Sequence, residues 1–258
     1  MPELPEVDAA ARYLDAHVAG RTLRDVTLLH PAIQRVDQAR LSSLVGRRVQ
    51  RAERVAKWQE LLFEGGARLV VHFRMTGDWV VTRTGTAPRH ARAHFAFSGR
   101  QHLWLVDPRA LARLEVRLAG EPASSRVGPD ALDPSLDAAA LRARFASRRT
   151  PVKQVLLDQG VLAGVGNIYA AEALWHARVH PGTPANRLSL VRVERVLAGI
   201  RWTMGLAFEQ QGRHQYGEAT DRFAVYDRAA EPCLRCGTPI ARMVQGQRST
   251  YWCRRCQR

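Results

Sequence analysis

The 258-residue chain carries 39 Lys and Arg against 24 Asp and Glu, a formal net charge of +15, and 46% of its residues are hydrophobic. That apolar share is enough for a real core and excludes a disordered basic tail, while the charge favours a polyanionic partner such as nucleic acid. No apolar run approaches the roughly 18–20 residues of a membrane span, and carboxylates sit where the h-region of a signal peptide would be. A soluble, cytoplasmic protein is expected.

The chain opens "MPELPEVDAAARYL", with two prolines and two carboxylates directly after the first methionine. Val7, Ala10, Ala11 and Leu14 recur at helical spacing, so a helix should run to about Val18 and stop at Gly20. Short β-rich runs follow: "TLRDVTLL", "RRVQRAERV", "QELLFEG", "ARLVVHFRMTGDWVVT", "RAHFAFSG" and "QHLWLVDP". Gly, Pro and polar turns separate them, as in an antiparallel sandwich or barrel. The Gly, Pro, Ser and Asp of "AGEPASSRVGPDALDPS" read as a linker. Beyond it the pattern turns helical in "LDAAALRARFASR", "PVKQVLLDQ", "NIYAAEALWHA" and "SLVRVERVLAGIRWTMGLAFEQQ". The expected organisation is an α+β chain: a helix and β-sandwich over 1–118, a linker over 119–135, a helical domain over 136–228 and a finger over 229–258.

All four cysteines fall in the last 26 residues, as Cys233, Cys236, Cys253 and Cys256 in a C-x2-C-x16-C-x2-C pattern. Two C-x2-C turns present four thiolates to one tetrahedral Zn²⁺. Disulfides and a redox pair are the alternatives, disfavoured by a cytoplasmic setting and by two matched pairs. Four protein ligands leave no open position, so the zinc is expected to be structural. Between the pairs, "RMVQGQRSTYW" reads as a β-hairpin with Arg248 near its tip, a guanidinium mounted to grip phosphate. The module from Cys233 onward contains six arginines and no Asp or Glu. Upstream, Gly160, Gly164 and Gly166 lead into a helix starting near Asn167. Backbone N–H groups there, beside Lys153 and Arg149, are expected to bind one DNA phosphate.

Five ordered segments carry a resemblance: "PELPEV", Lys57 in "RVAKW", "HFRMTG", "VDPR", and "KQVLLDQGVLAGVGNIYAAE" followed by "GQRSTYWCRRC". Together they span essentially the whole chain, which resembles the formamidopyrimidine-DNA glycosylase and endonuclease VIII family of base-excision enzymes. The "PELPE" opening is more similar to the formamidopyrimidine branch. The resemblance implies a helix-two-turn-helix in the helical domain, removal of Met1 and a nucleophilic N-terminal Pro2. It also implies damaged double-stranded DNA or an abasic site as partner, zinc as sole cofactor, and a monomer.

Residue by residue, Glu3 resembles the family's catalytic carboxyl, Glu6 the supporting carboxylate, Lys57 the strand lysine that donates a proton and contacts phosphate, and Arg248 the finger arginine. His90, Arg109, Arg149, Lys153 and Asn167 match DNA-contacting positions. Of the wedge that fills the space of an extruded base, Met75 and Arg109 match. The third position is Leu111 rather than Phe, which keeps apolar bulk and loses the flat ring. The interval from Phe208 to Tyr226, where the formamidopyrimidine branch has a long capping loop, is short. Arg213, His214, Gln215 and Tyr216 are candidates for a related task there. The implied function is removal of oxidised bases, 8-oxoguanine and formamidopyrimidines, with AP-lyase cleavage by β,δ-elimination. The alternatives are the same chemistry on oxidised pyrimidines or bulkier lesions, and a non-catalytic binder of damaged DNA.

Overall fold

The computed structural model describes residues 2–33, 36–121, 127–210 and 223–258. They form two compact units, 1–124 and 125–258.

The first unit begins with α1 (Leu4–Val18), with Glu3 as its N-cap and Pro5 among its first residues. The Glu6 carboxylate accepts from the Glu3 N–H at 2.9 Å, and the Glu3 side chain accepts from the Glu6 N–H. This reciprocal capping satisfies two orphan donors of the first turn. The sheets are β1 (Leu23–Leu28), β6 (Ala91–Phe97), β7 (Gln101–Val106) and β5 (Asp78–Thr82) in the order β1-β6-β7-β5, and β2 (Val49–Val55), β3 (Trp58–Phe63), β4 (Arg68–His72) and β8 (Arg113–Arg117) in the order β2-β3-β4-β8. All pairings are antiparallel. A short helix, α2 (Gln38–Ser42), lies between β1 and β2.

One apolar core joins both sheets, with Phe63, Leu69, Val71, Trp79, Phe95 and Leu103 among its members. Along β6 burial alternates, whereas β3 is buried on both faces. On its core face Leu61 and Phe63 pack with Leu14 and Val18 of α1, and on the other Glu60 is covered by Arg68 and Arg117. Asp15 fastens the helix to the sheet by accepting from the Ala52 N–H at 2.8 Å. The run "ARLVVHFRMTGDWVVT" is two strands, β4 and β5, in different sheets. Its "HFRMTG" centre is the turn between them. Strand β8 has no counterpart among the expected strands, because its alternating Arg and Glu hide an apolar face formed by Leu114 and Val116.

The second unit contains α3 (Ala138–Phe145), α4 (Val152–Leu157), α5 (Asn167–His176), α6 (Leu190–Gln210) and the hairpin of β9 (Ile240–Gln245) and β10 (Arg248–Cys253). Much of the stretch expected as linker belongs to it, since Gly128 N donates to Gln159 O at 2.7 Å and Ala131 N to Ala163 O at 3.1 Å. Helices α5 and α6 cross so closely at Gly199 that a Cβ there would stand 2.6 Å from the Ala173 oxygen. Any side chain at that position would force the helices apart. A small core of Trp175, Val225, Ile240 and Tyr251 seats the hairpin on α5. No helix among the described residues is long and apolar enough to cross a membrane.

Candidate DNA-repair site and zinc centre

In the first unit, Pro2 is buried and Glu3 is 1% exposed at the positive end of α1. The helix macrodipole and capping N–H groups there favour a carboxylate. The turn carrying Lys57 is held to the same helix through Arg54. The Arg54 guanidinium pairs with Asp8 of α1 at 3.4 Å and donates to the Ala56 carbonyl at 3.1 Å, bracing Ala56 at φ +55°. Lys57 itself is 5% exposed.

His72, at the end of β4, joins this cluster. Its pKa is lowered from 6.5 to about 4 by burial and then by the charges of Arg74, Lys57 and Arg113. Its Nδ1 accepts from the Arg74 N–H at 2.9 Å, so the neutral ring carries its proton on Nε2, and its edge packs against Trp58. A neutral imidazole N–H amid three cations is a donor well placed for an anion. Sequence reasoning quoted "HFRMTG" for its methionine and overlooked the histidine at its head.

The wedge candidates come from separate loops and converge on a buried carboxylate, Asp107. Its Oδ1 accepts from the Arg109 N–H at 3.1 Å and from the Thr76 hydroxyl, and its Oδ2 accepts from Leu111 N at 2.6 Å and Ala112 N at 2.8 Å. Thr76 follows Met75, so one side chain locks the Met75 turn to the Arg109–Leu111 turn. His90 is tied to the same residue, its carbonyl accepting from the Asp107 N–H at 3.0 Å. Gly77 makes the Met75 turn possible, because a Cβ there would lie 2.9 Å from the Phe73 backbone. Met75 and Leu111 are left 41% and 42% exposed, and Arg109 is exposed beside them.

In the second unit the hub is an ammonium. Lys153 Nζ donates to Asn167 Oδ1 at 2.6 Å, Thr250 Oγ1 at 2.6 Å and the Ser249 carbonyl at 3.1 Å. Asn167 Nδ2 donates to the same Ser249 carbonyl at 3.1 Å. Lys153, expected to meet phosphate, is 0% exposed and spends its ammonium on these three oxygens. It joins α4, the start of α5 and the hairpin, and so positions Asn167 and the residue next to Arg248. Arg248 is exposed at the hairpin tip, beyond a two-residue turn in which Gly246 and Gln247 both have positive φ. That is the twist-matched geometry of a tight hairpin. Arg149 is exposed just before Pro151.

Two further residues shape this unit, and sequence reasoning passed over both. Gln159 accepts from Gly164 N at 2.9 Å and donates to Leu157 O at 3.1 Å and Val165 O at 2.9 Å, setting the glycine turn before α5. Buried Glu172 accepts from the N–H groups of Ala224, Val225 and Tyr226 at 2.8–2.9 Å. Burial pushes its carboxyl up in pKa, against the pull of those donors. Arg213, His214, Gln215 and Tyr216 lie outside the described residues.

The four cysteine sulfurs all lie within 4.8 Å of one another, with Cys236 and Cys253 at 3.5 Å and Cys233 and Cys256 at 4.0 Å. A zinc tetrathiolate with Zn–S near 2.3 Å has sulfurs about 3.8 Å apart, so the set fits one ion. Trp175 Nε1–H reaches Cys233 Sγ at 3.4 Å, and the Cys256 N–H reaches Cys253 Sγ at 3.4 Å, as outer partners do around thiolates. The residues hold a structural zinc that staples the hairpin.

A capped N-terminal Pro-Glu helix, a two-sheet sandwich and a helical unit with a four-cysteine finger define a DNA glycosylase of base-excision repair. Residues 1–114 match the formamidopyrimidine-DNA glycosylase N-terminal domain, 127–216 the H2TH domain of the same enzymes, and 230–258 the zinc finger found in FPG and IleRS. The formamidopyrimidine-DNA glycosylase of Acidothermus cellulolyticus is 38% identical, over all of this chain and 97% of that one. A solved Lactococcus lactis formamidopyrimidine-DNA glycosylase has a TM-score of 0.91 at 26% identity with both chains fully covered. The MutM (Fpg) protein of Thermus thermophilus gives 0.87 at 34% identity, covering 99% of this chain and 98% of its own. The chain belongs to the formamidopyrimidine-DNA glycosylase family.

Proposed function

We propose that the protein is a bifunctional glycosylase and AP lyase that removes oxidised bases from double-stranded DNA through an N-terminal proline Schiff base. The observation that carries this reading is the burial of Pro2 and Glu3 at the positive end of α1, on the helix that Arg54 ties to the Lys57 turn. After loss of Met1, the α-amine of Pro2 titrates near ~8, against ~10.4 for lysine, so a neutral fraction exists at cellular pH. Its nitrogen attacks the sugar C1′ as the base departs with a proton, and ring opening yields an iminium. As a secondary amine, proline forms an iminium that cannot shed its charge by losing an N–H. It draws electrons from C2′, whose proton leaves, and the 3′-phosphate is expelled. A second elimination releases the 5′-phosphate, and water then frees the proline.

In this scheme Glu3 assists base loss and ring opening, and Glu6 supports it. Lys57 supplies a proton and meets phosphate, and Arg248 clamps the backbone during the second elimination. Arg149, Asn167, His90 and Arg109 contact DNA, while Met75 and Leu111 fill the helix where the base was. The Lactococcus lactis relative has been solved with DNA containing an AP site, a FAPY-dG and an oxidised pyrimidine. Purine lesions are the first substrates to test. The short interval after Phe208 favours oxidised pyrimidines as a second substrate class. Borohydride trapping on duplexes with 8-oxoguanine, an oxidised pyrimidine or an abasic site, with mass analysis of the adduct, tests both. An adduct at Pro2 is expected. Salt-sensitive binding without any adduct, in protein lacking Met1, would leave a non-catalytic binder.

A further inference from the structure

A second basic feature lies in the same unit as the finger, away from Arg248. An open pocket of about 940 Å³ is lined by Arg178, Arg192, Arg195, Arg235, Arg255 and Arg258 together with Cys236 and Cys256, and by no Asp or Glu side chain. The arginines come from three places. Arg178 follows α5, Arg192 and Arg195 lie in the first turns of α6, and the other three surround the zinc ligands. Arg248 opens β10 and Cys253 closes it, so the pocket begins about 17 Å along the strand from the hairpin tip.

Zinc accounts for only part of this charge. A Zn²⁺ held by four thiolates is a dianion, and one arginine is plainly committed to its surroundings. Arg235 stacks 3.8 Å over the Trp175 ring and donates to the Trp175 and His176 carbonyls at the end of α5. Six guanidinium charges less the two negative charges of the zinc centre and the one of the Arg258 main-chain carboxylate, which accepts from Arg192, still leave three. Among the described residues none of the six pairs with an Asp or Glu side chain. The crowding is felt: burial and then Arg195 lower the pKa of Arg192. Uncompensated cations around a concave wall are stabilised by an anion of matching charge. Guanidinium forks select phosphate oxygens for this.

We infer that this arginine pocket is a second phosphate-binding site, built for a ligand with several closely spaced phosphates and separate from the face that carries Arg248. Either a nucleic-acid backbone or a free inorganic polyphosphate has that chemistry. A backbone source would let one protein molecule hold a second stretch of DNA. The inference does not rest on the lyase reading, since it needs neither Pro2 nor a lesion.

The test uses zinc-loaded, full-length protein bound to one equivalent of an abasic-analogue duplex. Inorganic tripolyphosphate is titrated calorimetrically, with zinc content verified afterwards, and then an undamaged duplex is added. One further binding event per protein is expected. It should weaken at least tenfold in Arg192→Gln/Arg195→Gln and in Arg195→Glu alone, an exposed position with little reason to unfold, while abasic-duplex affinity changes less than twofold. Displacement of tripolyphosphate by the undamaged duplex assigns the site to a nucleic-acid backbone, and failure to displace it assigns a free polyphosphate. Absence of the event, an event equal in the variants, or an equal loss of abasic-duplex binding overturns the site.

Discussion

The two units place their candidate DNA-contacting residues by the same device with opposite charge. In the first unit the buried Asp107 carboxylate gathers donors from its own turn and from Thr76, holding Met75, Arg109 and Leu111 in place. In the second the buried Lys153 ammonium gathers acceptors from α5 and the hairpin, holding Asn167 and the strand next to Arg248. A carboxylate suits a loop, where successive backbone N–H groups point inward. An ammonium suits a junction of a strand and a helix end, where carbonyl and side-chain oxygens are the groups left over. A buried charge is tolerated in both because every nearby dipole is turned toward it. The second unit adds a metal staple, and the first relies on packing.

Removing the metal should break this parallel most strongly. Structural zinc contributes apparent binding energies of about 10–16 kcal/mol in small fingers. Chelation should therefore abolish amide exchange protection across 228–258 and free Asn167, while the amides of Leu111 and Ala112 keep theirs. Loss of protection at both places would mean that the units do not stand independently.

Neutralising each hub comes next. Lys153→Met takes the donor from Asn167 Oδ1 and Thr250 Oγ1 and leaves the Ser249 carbonyl to the Asn167 amide. Asp107→Asn turns an NH₂ toward either the Arg109 N–H and Thr76 or the Leu111 and Ala112 N–H groups. Each should cost about 2–4 kcal/mol in chemical denaturation. Each should weaken binding of an abasic-analogue duplex without any direct contact being removed. An Asp107→Asn protein of unchanged stability would show that the loop does not depend on the carboxylate.

The His72 cluster makes a smaller, pH-gated prediction. Because its folded pKa lies near 4 and the unfolded value near 6.5, the unfolded chain takes up the proton first as pH falls. Its contribution is thus complete above 6.5 and is lost between about 6.5 and 4, amounting to at most about 3 kcal/mol. Stability measured against pH should fall less steeply in this window for His72→Asn, which keeps an acceptor for the Arg74 N–H. Parallel profiles would place the loss elsewhere.

The smallest effect concerns the wedge. Leu111→Phe at a 42% exposed position should change stability by under about 0.5 kcal/mol. Affinity for the abasic-analogue duplex should rise a few-fold if a flat ring stacks on the unpaired base. Unchanged affinity would take residue 111 out of the wedge.

Legibility in the sequence followed how local the determining interactions are. The zinc centre was readable because two C-x2-C turns encode their own geometry. Helix α1 was readable because its cap, prolines and apolar spacing all lie within fifteen residues. Most strands showed through turn residues and alternation, while β8 did not, since Arg113, Glu115 and Arg117 look like surface and its partner β4 lies some forty residues earlier. The hubs were hidden for a related reason. Asp107, Lys153, Gln159 and Glu172 are polar residues whose burial depends on what folds over them, and Glu172 meets its donors more than fifty residues away.

The sequence by itself therefore determined the chemistry available: a proline at position 2 beside a carboxylate, a lysine, four thiolates for zinc and a large surplus of arginine. Tertiary structure alone decided how those groups are used. It withdrew Lys153 from solvent and made it a brace, placed His72 among cations that keep its ring neutral, and gathered six arginines around the zinc. Composition and spacing are properties of the chain. Desolvation and the company a charge keeps are set by distant segments, and they exist only once the chain has folded.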